Sequence, residues 1–237
     1  VVKTDLVSTL SASTLNATVF APTDAAFAKL PAPFNNAANI AGITDPDSIY
    51  ALRNIILYHL LGTQKFRHQF PLGRSSAASL KPEEGLNDHV LYTSNSFGVL
   101  LINGKSLVLL SNLNASNGVI HIVDDVLLPP VETIAQVLMT YPEYATFFSA
   151  LIKAELFGIL TAPENFTVFV PTNAAFSKLP APFNNAVNID NITDPVQIAT
   201  LAGILQYHIS ESRYFAWDLG LHNQIITMAP APNNKVT

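Results

Sequence analysis

The sequence predicts an α+β fold repeated in tandem, and three observations carry that expectation. A capped segment with helical spacing runs from Asp45 to Gly62. Short β-branched runs separated by Asn-Gly pairs begin at Val90. A long stretch near the start returns almost unchanged further along the chain. Helices first and an antiparallel sheet later form the α+β pattern. The return of the early stretch means that the unit occurs twice.

Thr18 to Ala21 is β-branched and aromatic and ends at Pro22, which predicts a short buried strand. Thr23 is a good N-cap for a short helix through Phe27 and Leu30, with Asp24 favourably placed in the first turn. Pro31-Ala-Pro33 stops it. Asp45-Pro46 opens the clearest helix: a capping carboxylate, then proline at the first helical position. Ile49, Leu52, Ile56 and His59 share one face, and Gly62 ends the run. The second copy keeps Ile198, Leu201, Leu205 and His208 on the same face, so this stripe is predicted to meet a core. From Val90 the pattern changes to strands at Val90–Thr93, Val99–Ile102, Leu107–Ser111 and Val119–Leu127. Asn103-Gly104 and Asn117-Gly118 read as hairpin turns. Val131 to Leu160 returns to helix.

The repeat has an offset of 149 residues: the 17-residue stretch Thr18–Phe34 recurs as Thr167–Phe183 with three changes. Ile43-Thr-Asp-Pro46 recurs at Ile192–Pro195, and Tyr58-His59 recurs as Tyr207-His208. A period so far above the 20–50 residues of a solenoid makes each unit a domain with its own core. Pro129-Pro130 marks the junction, giving domains 1–130 and 131–237. Residue 1 aligns with Ala150, so the first copy lacks a counterpart of Val131 to Ser149, its N-terminal helix. Residue 237 aligns with Asp88, so the second lacks a counterpart of His89 to Pro130, its C-terminal strands. The expectation is an excerpt of a longer array, or units whose missing parts come from neighbours.

Composition narrows the function classes. Of 237 residues, 49% are hydrophobic and only 12% charged, against roughly 25% charged in an ordinary soluble domain. A surface so poor in charge needs another source of solvation, such as sugars or neighbouring subunits. The net charge is −5 without acidic or basic blocks, which argues against nucleic acid as a partner. No apolar run reaches the roughly 18 residues of a membrane helix. There are no cysteines, so disulfides, thiol catalysis and thiolate metal sites are excluded.

No catalytic or metal-binding constellation emerges. The six histidines, His59, His68, His89, His121, His208 and His222, form neither H-x-H nor H-E-x-x-H. His59 and His208 read as buried rings hydrogen-bonded to the fold, through the Thr23 or Asp24 loop, and His121 as a strand residue doing the same. Asp124-Asp125 is a candidate acid–base pair. As neighbours on a strand, however, they point to opposite faces and read as one satisfied and one solvated carboxylate. Glu83-Glu84 reads as a solvated pair in a loop. Neither a Gly-rich phosphate loop nor a G-x-S-x-G elbow occurs. Four N-x-[S/T] sequons are candidate N-glycosylation sites: Asn16, Asn114, Asn165 and Asn191. The Ala-Pro runs at Pro31–Pro33, Pro180–Pro182 and Ala229–Pro232 read chiefly as loop elements.

Three co-linear motifs resemble the fasciclin domain family. Thr18-Val-Phe-Ala-Pro-Thr-Asp-Ala-Ala-Phe27 is similar to its first signature. Tyr58-His59 closes a helix amid Leu57, Leu60 and Leu61. Asn117-Gly-Val-Ile-His-Ile-Val-Asp-Asp-Val-Leu127 is similar to its second signature. The second copy carries the first two, with Asn173 in place of Asp24. The resemblance implies a β-wedge or sandwich with helices packed on it, repeated along an extracellular or cell-surface protein. It implies adhesion or matrix assembly, not catalysis, and no cofactor. Expected partners are other fasciclin domains, surface proteins or glycans, with homotypic assembly in a filament or coat as one version. It points to Tyr58, His59, Asp124, Tyr207 and His208 as partner-binding positions. The alternative it leaves open is a carrier for a small apolar ligand such as a carotenoid.

Overall fold

The computed structural model describes residues 2–84, 89–161, 165–220 and 224–236. His222 lies outside the described residues. The chain forms two compact units, Val1–Pro130 and Val131–Thr237.

Unit 1 begins with a 3-10 turn and α1 (Val7–Ser11), then β1 (Ala17–Pro22). Helices α2 (Asp24–Ala28), α3 (Ala37–Gly42) and α4 (Pro46–Tyr58) follow. The strands are then β2 (Leu60–Leu61), β3 (Gly73–Ala78), β4 (Val90–Ser96), β5 (Val99–Ile102), β6 (Ser106–Ala115) and β7 (Gly118–Val123). They form one seven-stranded sheet in the order β2-β1-β7-β6-β5-β4-β3. Each cap read from the sequence is present: Thr23 Oγ1 accepts from the Ala26 N–H at 3.1 Å, and Asp45 Oδ2 from the Ser48 N–H at 2.9 Å.

The sheet is mixed, which the strand pattern did not show. β1 and β7 pair in parallel, Ala17 opposite Gly118 through Pro22 opposite Val123. The remaining ladders are antiparallel. β7 stops at Val123, four residues short of the predicted Leu127. β3 was not predicted, because Gly-Arg-Ser-Ser-Ala-Ala has little strand propensity. Its full ladder to β4 creates it at the sheet edge.

The two Asn-Gly pairs do different work. Asn103 and Gly104 both take positive φ, 52° and 67°, as a tight type I′ turn requires. In the second hairpin Ala115 already pairs with Gly118, so the turn residues are Ser116 and Asn117. Gly118 is needed for a different reason: a Cβ there would lie 2.3 Å from the Ala17 carbonyl oxygen.

The core stripe of α4 is wider than predicted. Leu52, Ile55, Leu57 and Tyr58 are buried, whereas Ile49 and Ile56 are half-buried. The helix serves three clusters at once. Tyr58 packs with Phe20, Phe70 and Leu127. Leu57 packs with Leu6 and Leu60, and Ile55 with Ala26 and Val126.

Unit 2 is mostly helical. The predicted helix from Val131 to Leu160 resolves into α5 (Ile134–Thr140) and α6 (Ala145–Lys153), with 3-10 turns at Pro142–Tyr144 and Phe157–Thr161. Thr133 and Gln136 form a capping box at the start of α5. After these come β8 (Thr167–Val168), α7 (Asn173–Phe176), α8 (Ala186–Asp190), α9 (Pro195–Tyr207), β9 (Ile209–Ser210), α10 (Ala216–Leu219), β10 (Ile225–Ile226) and β11 (Lys235–Val236). The core gathers Phe147, Leu151, Phe176, Ile189, Leu201 and Leu205. Repeated residues make repeated caps: Thr172, Asn185 and Asp194 cap α7, α8 and α9 as Thr23, Asn36 and Asp45 cap α2, α3 and α4.

Candidate interaction surface and the Tyr-His positions

Helix α4 delivers Tyr58 and His59 to the interior of unit 1. The Tyr58 hydroxyl donates to the Val90 carbonyl and accepts from Asn103 Nδ2, both at 2.9 Å. His59 donates from Nδ1 to the Ile55 carbonyl at 2.7 Å, which leaves Nε2 to accept from the Leu127 N–H at 2.9 Å. The ring is thus hydrogen-bonded to the fold, but not through Thr23 or Asp24. Thr23 is occupied with its own helix cap and with the Val123 carbonyl. Burial lowers the His59 pKa to about 4, with the Ile55 carbonyl opposing the shift. His121 is also buried, lies between Phe20 and Phe70, and bonds the Lys65 carbonyl at 2.9 Å. Burial is again the main cause of its lowered pKa, the Lys65 carbonyl working against it and the Arg67 charge adding to it.

The second Tyr-His pair occupies a different environment. Tyr207 is 39% exposed against 1% for Tyr58. Its hydroxyl donates to the Lys235 carbonyl at 3.0 Å. His208 keeps the bond from Nδ1 to its own helix, to the Ile204 carbonyl at 2.8 Å, and is half-buried.

Asp124 and Asp125 lie just past the end of β7, and both are engaged. Asp124 Oδ1 accepts from the Leu107 N–H at 2.7 Å. Asp125 is flanked by Lys29 at 3.0 Å and Lys105 at 3.4 Å. The division into one satisfied and one solvated carboxylate therefore does not hold: they clamp the end of the β6–β7 hairpin. Glu84 is likewise tied down, by Tyr50, Asn54 and Lys81.

Among the sequon asparagines, Asn16, Asn114 and Asn191 are exposed and Asn165 is half-buried. The sequon threonines Thr18 and Thr167 have structural work of their own. The Thr18 hydroxyl donates to the Thr63 carbonyl and accepts from the Lys65 N–H. The Thr167 hydroxyl does the same with Ser212 and Tyr214.

Two surfaces escaped the sequence reading. On β6, Leu109, Leu110 and Leu113 are 54%, 53% and 40% exposed. Leu110 and Leu113 pair across the ladder with Ile122 and Ile120, both half-buried. The apolar run Leu107–Leu110 was the available signal, but it reads equally as a buried strand. In unit 2 an open cleft of about 740 Å³ lies between α9 and the 229–235 segment. Among the described residues, no cluster of three or more His, Asp or Glu side chains could hold a metal ion. No helix there is long and apolar enough to cross a membrane.

The profile of the Fasciclin domain matches residues 1–129 and 142–234. The chain belongs to the fasciclin domain family. This fasciclin chain is 25% identical to transforming growth factor-beta-induced protein ig-h3 of Sus scrofa over 195 residues, 82% of the chain and 26% of that protein. It is 35% identical to protein sll1483 of Synechocystis sp. over 129 residues, 54% of the chain and 62% of that protein. Human periostin is 29% identical over 112 residues, 47% of the chain and 12% of that protein. The chain thus spans less than two thirds of the length of each. Among solved structures, a FAS1 domain pair from the insect cell adhesion molecule fasciclin I aligns over 94% of this chain and 75% of its own, at 18% identity and a TM-score of 0.34.

Proposed function

We propose that this fasciclin chain is an extracellular adhesion or surface-assembly module that acts through its repeated domains. The observation that carries the reading is the outward strand β6, which presents Leu109, Leu110 and Leu113 on a chain with only 12% charged residues. Large apolar side chains left exposed on one strand are what this reading takes as the contact surface. Little net repulsion opposes close packing against a like surface. The Tyr-His and Asp-Asp positions of unit 1 support such a surface from behind: Tyr58 and His59 fix the core, and Asp124 and Asp125 hold the hairpin that carries β6. Tyr207 is the exposed member of the set and the one open to direct contact.

Weak contacts gain strength through repetition, because a second contact forms at high effective concentration. Beads coated with the 237-residue chain are expected to aggregate steeply with coating density, and Leu110→Asp should suppress that aggregation by roughly tenfold or more. Beads that stay dispersed at every density, with soluble chain also failing to bind, would remove the homotypic form of the reading.

The same reading places N-linked glycans on Asn16, Asn114 and Asn191, whose side chains reach solvent. There they would solvate a surface short of charge. Glycopeptide mass spectrometry of the protein from its native source should show at least two of these occupied. Bare asparagine at all of them would refute it.

A further inference from the structure

The repeat builds one surface cleft twice. In unit 1 a cleft of about 490 Å³ opens between the loop at Pro33, α3 and the start of α4. In unit 2 a cleft of about 460 Å³ lies between the loop at Pro182, α8 and the start of α9. Both volumes suit a small ligand, whose sites run from about 300 to 1,000 Å³. Unit 2 carries residues 131–149 and unit 1 carries residues 89–130, and the cleft is open in each, so neither segment covers it.

The two linings have the same chemistry. Pro33 and Ile43 give the unit 1 cleft an apolar side, which Pro182 and Ile192 repeat in unit 2. Asn39 and Asp45 face it with polar groups, as Asn188 and Asp194 do in unit 2. These groups are fixed in advance. Asn39 Nδ2 donates to Asn35 Oδ1 and Asn188 Nδ2 to Asn184 Oδ1, both at 2.7 Å. Each aspartate is held by capping the helix that follows, Asp45 at the Ser48 N–H and Asp194 at the Val196 N–H. No Lys, Arg or His is among the described residues that line either cleft. Fixed oxygens beside apolar surface, without a cation, suit a neutral ligand rich in hydroxyl and amide donors rather than an anion. The clefts differ at one rim position. Gly42 in unit 1 stands where unit 2 has Asn191, and that change completes the sequon Asn191-Ile-Thr193 on the rim.

We propose that the repeated cleft is a saccharide site for the inner N-acetylglucosamine residues of an N-linked glycan. In unit 2 the glycan of Asn191 itself fills it. In unit 1 the same sugars enter from another glycan, because Gly42 offers no point of attachment. N-acetylglucosamine matches the lining group by group. Its acetamido methyl meets the proline and isoleucine surface, and its amide N–H and hydroxyls donate to the fixed asparagine and aspartate oxygens. Holding those oxygens in place beforehand lowers the cost of binding. The inference rests on the glycosylation proposed above for Asn191.

The site is tested by titrating the full chain, produced without glycans, with N,N′-diacetylchitobiose, the first two sugars of an N-linked glycan. The expected result is saturable binding in the millimolar range, with amide shift changes concentrated at residues 38–48 and 187–197. Asp45→Asn keeps the cap of α4, because Asn caps as well as Asp. It should weaken the unit 1 site about tenfold and leave the unit 2 site as it was. The chain carrying a glycan at Asn191, confirmed by mass, should lose the unit 2 response and keep that of unit 1. The proposal is overturned if the disaccharide moves neither cleft, if Asp45→Asn leaves the unit 1 affinity unchanged, or if the glycosylated unit 2 still takes up the free sugar. Native occupancy of Asn191 is read by mass, whereas the titration of the bare chain needs none and does not involve β6. Failure of the sugar site and failure of the reading it rests on are therefore distinguishable.

Discussion

Gly118→Ala is expected to destabilise unit 1 by roughly 3 kcal/mol, and Gly118→Val by more. The position lies at the start of β7 in the middle of the sheet. The added carbon would sit 2.3 Å from the Ala17 carbonyl oxygen and within 3.3 Å of two further Ala17 backbone atoms. Backbone cannot rotate away as a side chain can, so β1 and β7 must separate. That separation costs the parallel ladder and loosens the seat of Phe20 between its aromatic neighbours. The measurement is hydrogen exchange of the β1 and β7 amides together with urea unfolding. Wild-type protection in the alanine variant would show that the sheet yields more easily than its geometry implies.

Acid is expected to weaken unit 1 through His59. Its pKa falls from 6.5 to about 4 in the fold because burial penalises the charged ring. Below pH 6.5 the unfolded chain takes up a proton that the folded chain refuses until about pH 4. Stability therefore drops as the pH falls through this window, changes little above it, and levels off below. One proton corresponds to about 1.4 kcal/mol per pH unit, so the loss by pH 5 is about 2 kcal/mol. His121 shifts in the same direction and adds to the slope. Urea midpoints at pH 7 and pH 5 should differ accordingly, and His59→Gln should flatten the dependence by about one proton. Equal slopes in variant and wild type would mean that His59 does not titrate across unfolding.

Local chemistry was legible in the sequence wherever the partner lay within a few residues. Thr23, Asp45 and the Asn103-Gly104 turn act as read, and each works on its own turn of chain. What remained hidden depends on distant partners. The parallel pairing of β1 with β7, the bond from Leu127 to His59 and the steric need for Gly118 all join the two ends of unit 1. The two Tyr-His pairs make the same point: identical residues on equivalent helices are buried in one unit and half-open in the other. The dipeptide fixes where the side chains leave the helix, while the strands around it decide what they meet. The exposed leucines of β6 were hidden for a related reason, since an apolar run does not declare which of its faces will be covered.

The parallel pairing of β1 with β7 also bears on how the protein is made. β1 is among the first parts of unit 1 to leave the ribosome and β7 is the last strand to do so. Until β7 arrives, β1 has its short partner β2 on one side and an unfilled edge on the other. Closing such a long loop is slow, and an unpaired apolar strand is vulnerable to wrong partners meanwhile. Synthesis through Leu127 thus sets the earliest moment at which the first unit can lock, since only then does the buried histidine receive its amide.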